Sequence, residues 1–239
     1  MIQTQTVTYH DGDVTLEGYY ACKQDSNRNR PLIVVAHDWS GRNAFACQKA
    51  EQLAELGYVG FALDNYGNAQ IGKTTEEKSA LIQPFMQDRS KLLQRLFAGI
   101  EAAKLTTHVD KNNIGAIGFC FGGLCVLDLA RHNVDMKGVV SFHGLLMPPA
   151  GTHQKPITAR VLAQHGFDDP MVTPTQAMEF GTEMTKAKAD WEMVVYGNAM
   201  HAFTNPEAHD ASFGTVYNPL VAERSWKTMQ QFFSEVFGK

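Results

Sequence analysis

Cysteine is scarce in this chain: four in 239 residues, Cys22, Cys47, Cys120 and Cys125, with no C-x-x-C pair and no regular spacing. That excludes a disulfide-stapled secreted scaffold and makes a reducing, cytoplasmic location the simpler expectation. Long apolar runs are missing too, none approaching the roughly 20 residues that a membrane span requires. The opening residues, Met1-Ile2-Gln3-Thr4-Gln5, carry no basic segment followed by an apolar one, so nothing in them directs secretion. There is no excess of positive charge. The net charge is −4, which lacks the electrostatic footprint of a nucleic-acid or anionic-membrane binder. Nine histidines are present, but without H-E-x-x-H or a ligand-spaced Cys/His cluster, so no metal and no cofactor is implied. His37 with Asp38 and His165 with Asp168 are the pairs that could meet at strand ends; satisfied loop histidines are the plainer reading. No linker, repeat or low-complexity tract divides the chain. The loop Gly144–Pro156 is too short for a boundary, and a single domain over residues 1–239 is expected. No motif speaks to oligomeric state.

What is present has a clear order. Gln3–Tyr9 and Val14–Cys22 read as two strands about His10-Asp11-Gly12-Asp13, an antiparallel hairpin signal. Short apolar runs follow at Leu32–Ala36, Tyr58–Leu63, Ile114–Phe119, Gly138–Phe142, Ala159–Gln164 and Glu192–Tyr196. Their continuous apolar character suits parallel strands buried on both faces. Helices separate them. Asn43 caps one that carries Ala46, Ala50, Leu53 and Ala54 on a single face and stops at Gly57. Residues 75 to 105 are mostly helical, with a break expected near Pro84. Asn218-Pro219 opens a last helix with Val221, Met229, Phe232, Phe233 and Val236 at near-helical spacing. The sum is an α/β fold: a mostly parallel central sheet of about eight strands, helices on both faces and an N-terminal antiparallel hairpin.

The segment richest in chemistry is Gly118-Phe119-Cys120-Phe121-Gly122-Gly123. It follows an apolar strand run and precedes a helix, the setting that makes G-x-S-x-G a nucleophile elbow, here with cysteine in the serine's place. A thiol there stands at a helix N-terminus, a field that favours an anion. Nucleophile, acid and histidine follow one another along such a sheet, each just past a strand end. After Cys120, the next acid-bearing segment is His165-Gly166-Phe167-Asp168-Asp169-Pro170, and beyond Glu192–Tyr196 comes Gly197-Asn198-Ala199-Met200-His201-Ala202-Phe203. Cys120, Asp169 and His201 are therefore the expected nucleophile, orienting acid and base. Asp168 competes with Asp169, and His209 more weakly with His201. Oxyanion donors are expected from the backbone N–H of Phe121 and, from the loop after Leu32–Ala36, of Trp39. The Trp39 and Phe121 side chains are expected to wall the pocket, and His143, Tyr66, Met147 and Phe203 are candidate pocket neighbours. The remaining cysteines read as small buried hydrophobes.

These segments carry a resemblance. The G-x-C-x-G-G elbow, the G-x-x-D-x-x-V segment Gly166–Val172 and the H-A-F segment at His201 are similar, in order, to those of the dienelactone hydrolase family of α/β-hydrolases. The likeness spans roughly residues 10 to 237. It implies hydrolysis of a carboxylic ester or lactone of the carboxymethylenebutenolidase type, through an acyl-thioester, on a small-molecule substrate. In the enol-lactone enzymes of that family a glutamate contacts the resting thiol; Asp38 stands at that position. They also place a carboxylate-clamping arginine four residues after the histidine, where this chain has Asn205, an amide that cannot replace a guanidinium. Arg89 and Arg95 are the other cations considered for that role. Two rival readings keep the fold: a redox-responsive thiol at Cys120 with little turnover, and a non-catalytic binding module, favoured if His201 and Asp169 stand too far apart to bond.

Overall fold

A computed structural model describes residues 1–24, 28–151 and 155–238. The described residues form ten strands and six helices, and the eight strands read from the sequence keep their expected order. Eight of the strands form one sheet: β1 (Ile2–Asp11), β2 (Val14–Lys23), β3 (Arg30–Ala36), β4 (Val59–Ala62), β5 (Val109–Phe119), β6 (Gly138–Phe142), β7 (Arg160–Gly166) and β8 (Trp191–Tyr196). They are hydrogen-bonded in the order β1-β2-β4-β3-β5-β6-β7-β8. By contacts the chain divides into two compact units, Met1–Ala116 and Ile117–Lys239. The loop Gly144–Pro156 falls partly outside the described residues.

In the first unit, β1 and β2 pair antiparallel from Ile2↔Lys23 to Asp11↔Val14. The strands run further than the sequence signal suggests and leave only Gly12-Asp13 as the turn. Gly12 takes φ +58°, the first-position glycine of the turn type whose twist suits a hairpin. The β3–β4 pair is parallel, and β4 is buried along its whole length. Helix α1 (Ala44–Glu55) starts where the Asn43 side chain accepts from the Ala46 N–H, and it buries Ala46, Ala50, Leu53 and Ala54. The break expected near Pro84 lies elsewhere. Helix α2 (Thr75–Gln87) carries Pro84 inside it, and the chain turns at Asp88, whose carboxylate accepts the N–H groups of Ser90 and Lys91 to open α3 (Arg89–Lys104). A strong N-cap, not the proline, sets the boundary.

The second unit holds parallel pairs β6–β7 and β7–β8. Helix α4 (Phe121–Arg131) is buried at every residue. Helix α5 (Pro174–Lys186) opens on a Thr173–Gln176 capping box and buries only Phe180 and Met184. A short antiparallel pair, β9 (His209–Asp210) and β10 (Thr215–Val216), precedes α6 (Pro219–Val236), which buries Val221, Ser225, Met229, Phe232 and Phe233. One strand departs from expectation. β8 is apolar but lies at the edge of the sheet, and none of its residues is fully buried. Its run of Met, Val and Tyr imitates a central strand because composition does not report whether both neighbours are present.

Candidate active site

Cys120 sits between the end of β5 and the first turn of α4 with φ +55° and ψ −115°. For a side chain with a Cβ this is strained backbone, and such strain persists where surrounding structure imposes it. Its N–H donates to the Phe142 carbonyl at 3.0 Å, and its carbonyl accepts from Gly123 N–H at 2.9 Å. The glycines make the turn feasible. A Cβ on Gly118 would strike the carbonyl of Gly122, and one on Gly123 would lie 2.6 Å from both Gly144 Cα and Ser141 Oγ. The Cys120 side chain makes no capping bond to α4, so its sulfur is left for other chemistry. Phe121 is the first residue of α4, from which a backbone N–H points out of the helix's amino end. Its ring is wholly buried, a core residue rather than a pocket wall.

Asp169 and His201 are brought together. The His201 Nδ1–H donates to Asp169 Oδ2 at 2.7 Å, with both residues buried. Asp169 Oδ1 accepts the N–H groups of Met171 and Val172 at 2.8 and 3.3 Å, so the carboxylate is fixed from its own turn. Two further bonds join the acid and histidine segments: Phe167 N–H to Tyr196 C=O and Asp168 N–H to Ala199 C=O. The His201 backbone is pinned to Gly214 and Val216. Burial opposes charge on this imidazole, but the neighbouring Cys120 and the Asp169 carboxylate outweigh it and hold the His201 pKa up at about 10. Its Nε2 makes no well-formed hydrogen bond among the described residues; Cys120 acts on the ring chiefly through charge. The competitors stand apart: Asp168 is exposed, and His209 lies exposed in β9.

The other candidates have mixed placements. His143, at φ +38°, donates or accepts through Nε2 at 2.7 Å with Thr204 Oγ1. Its ring packs edge-on against His201 with centroids 5.2 Å apart. It thus braces the histidine from behind, and Thr204, which the sequence did not single out, anchors that brace. Phe203 has no exposed surface and packs with Ala199, Val221 and Tyr196. It supports the histidine segment from the core and does not form a pocket wall. Asn205 turns its Oδ1 onto the Glu207 N–H at 3.0 Å, and Asp38 turns its Oδ1 onto Ser40 N–H at 2.7 Å. The Trp39 carbonyl accepts from the Tyr66 hydroxyl at 2.9 Å, and Lys78 lies over the Trp39 ring. Met147 is part-exposed near Phe180 and Glu179. Arg95, considered as a substrate cation, is instead buried and bonded to Asp11 and the Asn65 carbonyl.

His37 is a structural histidine. Its Nε2 accepts from Asn65 N–H at 3.2 Å, so the proton is on Nδ1, which donates to the Asp38 carbonyl. Burial pushes its pKa down. His165 is buried, and burial lowers its pKa as well, against the opposing pull of the Asp169 charge. Among the described residues no group of three His, Cys, Asp or Glu side chains could hold a metal ion, and no helix is long and apolar enough to cross a membrane.

A mostly parallel sheet presenting a cysteine elbow, with a bonded acid and histidine at the ends of later strands, defines an α/β-hydrolase. The sequence model of the dienelactone hydrolase family matches residues 16–237, and the chain belongs to that family. Among solved structures it is similar to a dienelactone hydrolase-like promiscuous phosphotriesterase, P91, from metagenomic libraries, with 34% identity, 98% of each chain covered and a TM-score of 0.93. It is also similar to a putative carboxymethylenebutenolidase of Aquifex aeolicus, 25% identical over 96% of this chain and 97% of the relative. An uncharacterised Caenorhabditis elegans protein is 39% identical over 62% of this chain and 95% of its own length. The protein is accordingly a hydrolase of the dienelactone hydrolase type, acting on a carboxylic ester or lactone.

Proposed function

We propose that the hydrolysis proceeds by nucleophilic catalysis through Cys120, with His201 as acid–base and Asp169 as its orienting partner. The observation that carries this is the buried 2.7 Å His201–Asp169 bond at a ring whose raised pKa owes most of its upward shift to Cys120. The thiol proton passes to His201 Nε2, and sulfur attacks the substrate carbonyl carbon. The π pair moves to oxygen, and the N–H of Phe121 at the amino end of α4 receives the oxyanion. Collapse breaks the ester C–O bond while His201 protonates the departing alkoxide, leaving an acyl-thioester. Water deprotonated by His201 then adds to the thioester carbonyl, the C–S bond breaks and the acid leaves. Geometry speaks against the binding-module reading, since acid and histidine are within bonding distance. Residues 1–239 are read as one catalytic domain, supported by a family match that runs through both units. A reducing, cytoplasmic compartment is favoured by a sequence with only four cysteines and no paired spacing among them.

Cys120→Ala is expected to lower hydrolysis of a small activated ester by roughly 10³-fold or more, while wild type shows an acyl adduct on Cys120 by mass spectrometry. Equal rates for the two proteins, with rapid peroxide oxidation of Cys120 and no adduct, would instead favour the redox-responsive thiol. The substrate class follows from position 205. Asn205 offers no charge to a carboxylate and spends its oxygen on its own turn. Neutral esters and lactones are therefore expected to give higher kcat/KM than carboxylate-bearing lactones. The reverse ranking in a substrate panel would show that another cation takes the arginine's place.

A further inference from the structure

β8 is bonded to β7 on one side and, among the described residues, to no strand on the other. Val161 N–H donates to Asp190 C=O and Phe167 N–H to Tyr196 C=O. Backbone groups alternate along a strand, so the N–H and C=O of Trp191, Met193 and Val195 point out of the sheet. Such an edge is a template for another chain unless charge, proline or a bulge blunts it. Glu192 is its only charge and it has no proline. The other edge strand, β1, is rich in Gln and Thr and mostly exposed, as a water-facing edge should be.

Beside β8, on the face it shares with α5, runs a groove of about 1090 Å³. Phe167, Met178 and Val195 line it and are 55%, 74% and 46% exposed. Large apolar side chains gathered at one unpaired edge mark a contact surface.

We propose that this edge and groove dock a second copy of the same chain, β8 pairing antiparallel with β8 across a two-fold axis normal to the sheet. The register follows from the chain itself. The axis keeps both groove faces on one side, so odd-numbered residues oppose odd-numbered ones. With Met193 opposite Met193 and Trp191 opposite Val195 of the second copy, all three outward-pointing residues exchange both of their bonds. The Trp191, Met193 and Val195 side chains then meet their counterparts on the groove face, where Phe167 and Met178 also become covered. Glu192 falls opposite Val194 and keeps its Arg160 partner at 3.6 Å. A shift of two residues one way sets Glu192 against Glu192, a like-charge pair. A shift the other way leaves the Trp191 groups unbonded. Self-complementarity of this kind favours a second copy over an unrelated partner. The proposal is independent of the catalytic reading.

Sedimentation velocity over a wide concentration range, combined with amide hydrogen exchange, tests it. Wild type is expected to dimerise, with the amides of Trp191, Met193 and Val195 protected although they lie on an edge. Val195→Lys, which sets a charge against Trp191 of the second copy, and Met178→Glu, which leaves the strand unchanged, are expected to give monomers that still melt cooperatively and keep wild-type ester hydrolysis. In the Val195→Lys monomer those three amides become fast. A wild type that is monomeric at every concentration, or a dimer in which those amides exchange freely, would overturn the proposal. So would a dimer that both variants leave intact, because another surface then holds it.

Discussion

Asp169→Asn is expected to lower kcat by roughly 10³- to 10⁴-fold with little change in fold. The size follows from which way the new amide must face. Oδ1 of Asp169 accepts two backbone N–H groups, from Met171 and Val172. An asparagine has one oxygen, and those donors hold it there. Its NH₂ is then turned to His201 Nδ1, where Oδ2 used to accept. Nδ1 becomes an acceptor, the ring proton moves to Nε2, and the nitrogen facing Cys120 can no longer take the thiol proton. Asp168→Asn, at an exposed residue, is expected to leave kcat near wild type. A ranking with Asp168 as the sensitive position would refute the acid's assignment.

The same variant has a pH signature. His201 has its pKa held at about 10 in the folded protein, above the roughly 6.5 of an unfolded histidine. Its interactions therefore contribute stability that is fully present below about pH 6.5 and is lost as pH rises through about 10. Asp169→Asn removes one of the causes of the upward shift, so its stability loss should be larger near neutral pH than above pH 10 or so. Thermal melts of both proteins across that range read it directly. For esters with poor leaving groups, wild-type kcat/KM should fall as His201 loses its proton near 10. For nitrophenyl esters, which depart without an acid, that fall should be smaller.

Gly118→Ala is the second large effect expected, and it acts on the fold. Gly118 is buried in β5, and the added Cβ would meet the carbonyl oxygen of Gly122, an atom fixed within the first turn of α4. No flexible side chain is there to move aside. The helix must shift against the strand, at a cost of about 3 kcal/mol or more, and Cys120 moves with it. Urea denaturation and ester hydrolysis should both show the loss. Gly197→Ala, at a glycine with nothing within 4 Å of its would-be Cβ, is the matched control and should be nearly silent. A Gly118→Ala protein with the wild-type midpoint and rate would remove the steric account of the elbow.

Much of this was legible in the chain. The elbow could be read because its chemistry is local: a glycine two residues before Cys120 and glycines after it are needed within one turn, where contacts are made by near neighbours in sequence. The order of acid and histidine could be read because each follows a strand run that is visible as uninterrupted apolar residues. Other features were misread for reasons that are equally physical. Pro84 resembles a helix breaker, yet the cap at Asp88 sets the boundary, since a side-chain carboxylate meeting two N–H groups fixes where the next helix starts. Phe203 and Phe121 stand next to catalytic candidates in sequence but point into the core. Adjacency along the chain does not determine the direction of a side chain. Arg95 carries a charge that composition leaves unassigned, and only the fold places Asp11, 84 residues away, against it.

By itself, then, the sequence determined the α/β class, the strand–turn–helix that presents Cys120, and the succession of Asp169 and His201. All of these depend on patterns within a few residues or on order along the chain. Tertiary structure alone decided that His143 and Thr204 brace the imidazole and that β8 ends the sheet. Each of these is set by what arrives from distant segments. A strand's composition is the same whether or not a neighbour lies beside it; only assembly of the sheet reveals that the outward bonds of Trp191, Met193 and Val195 have no strand to meet among the described residues.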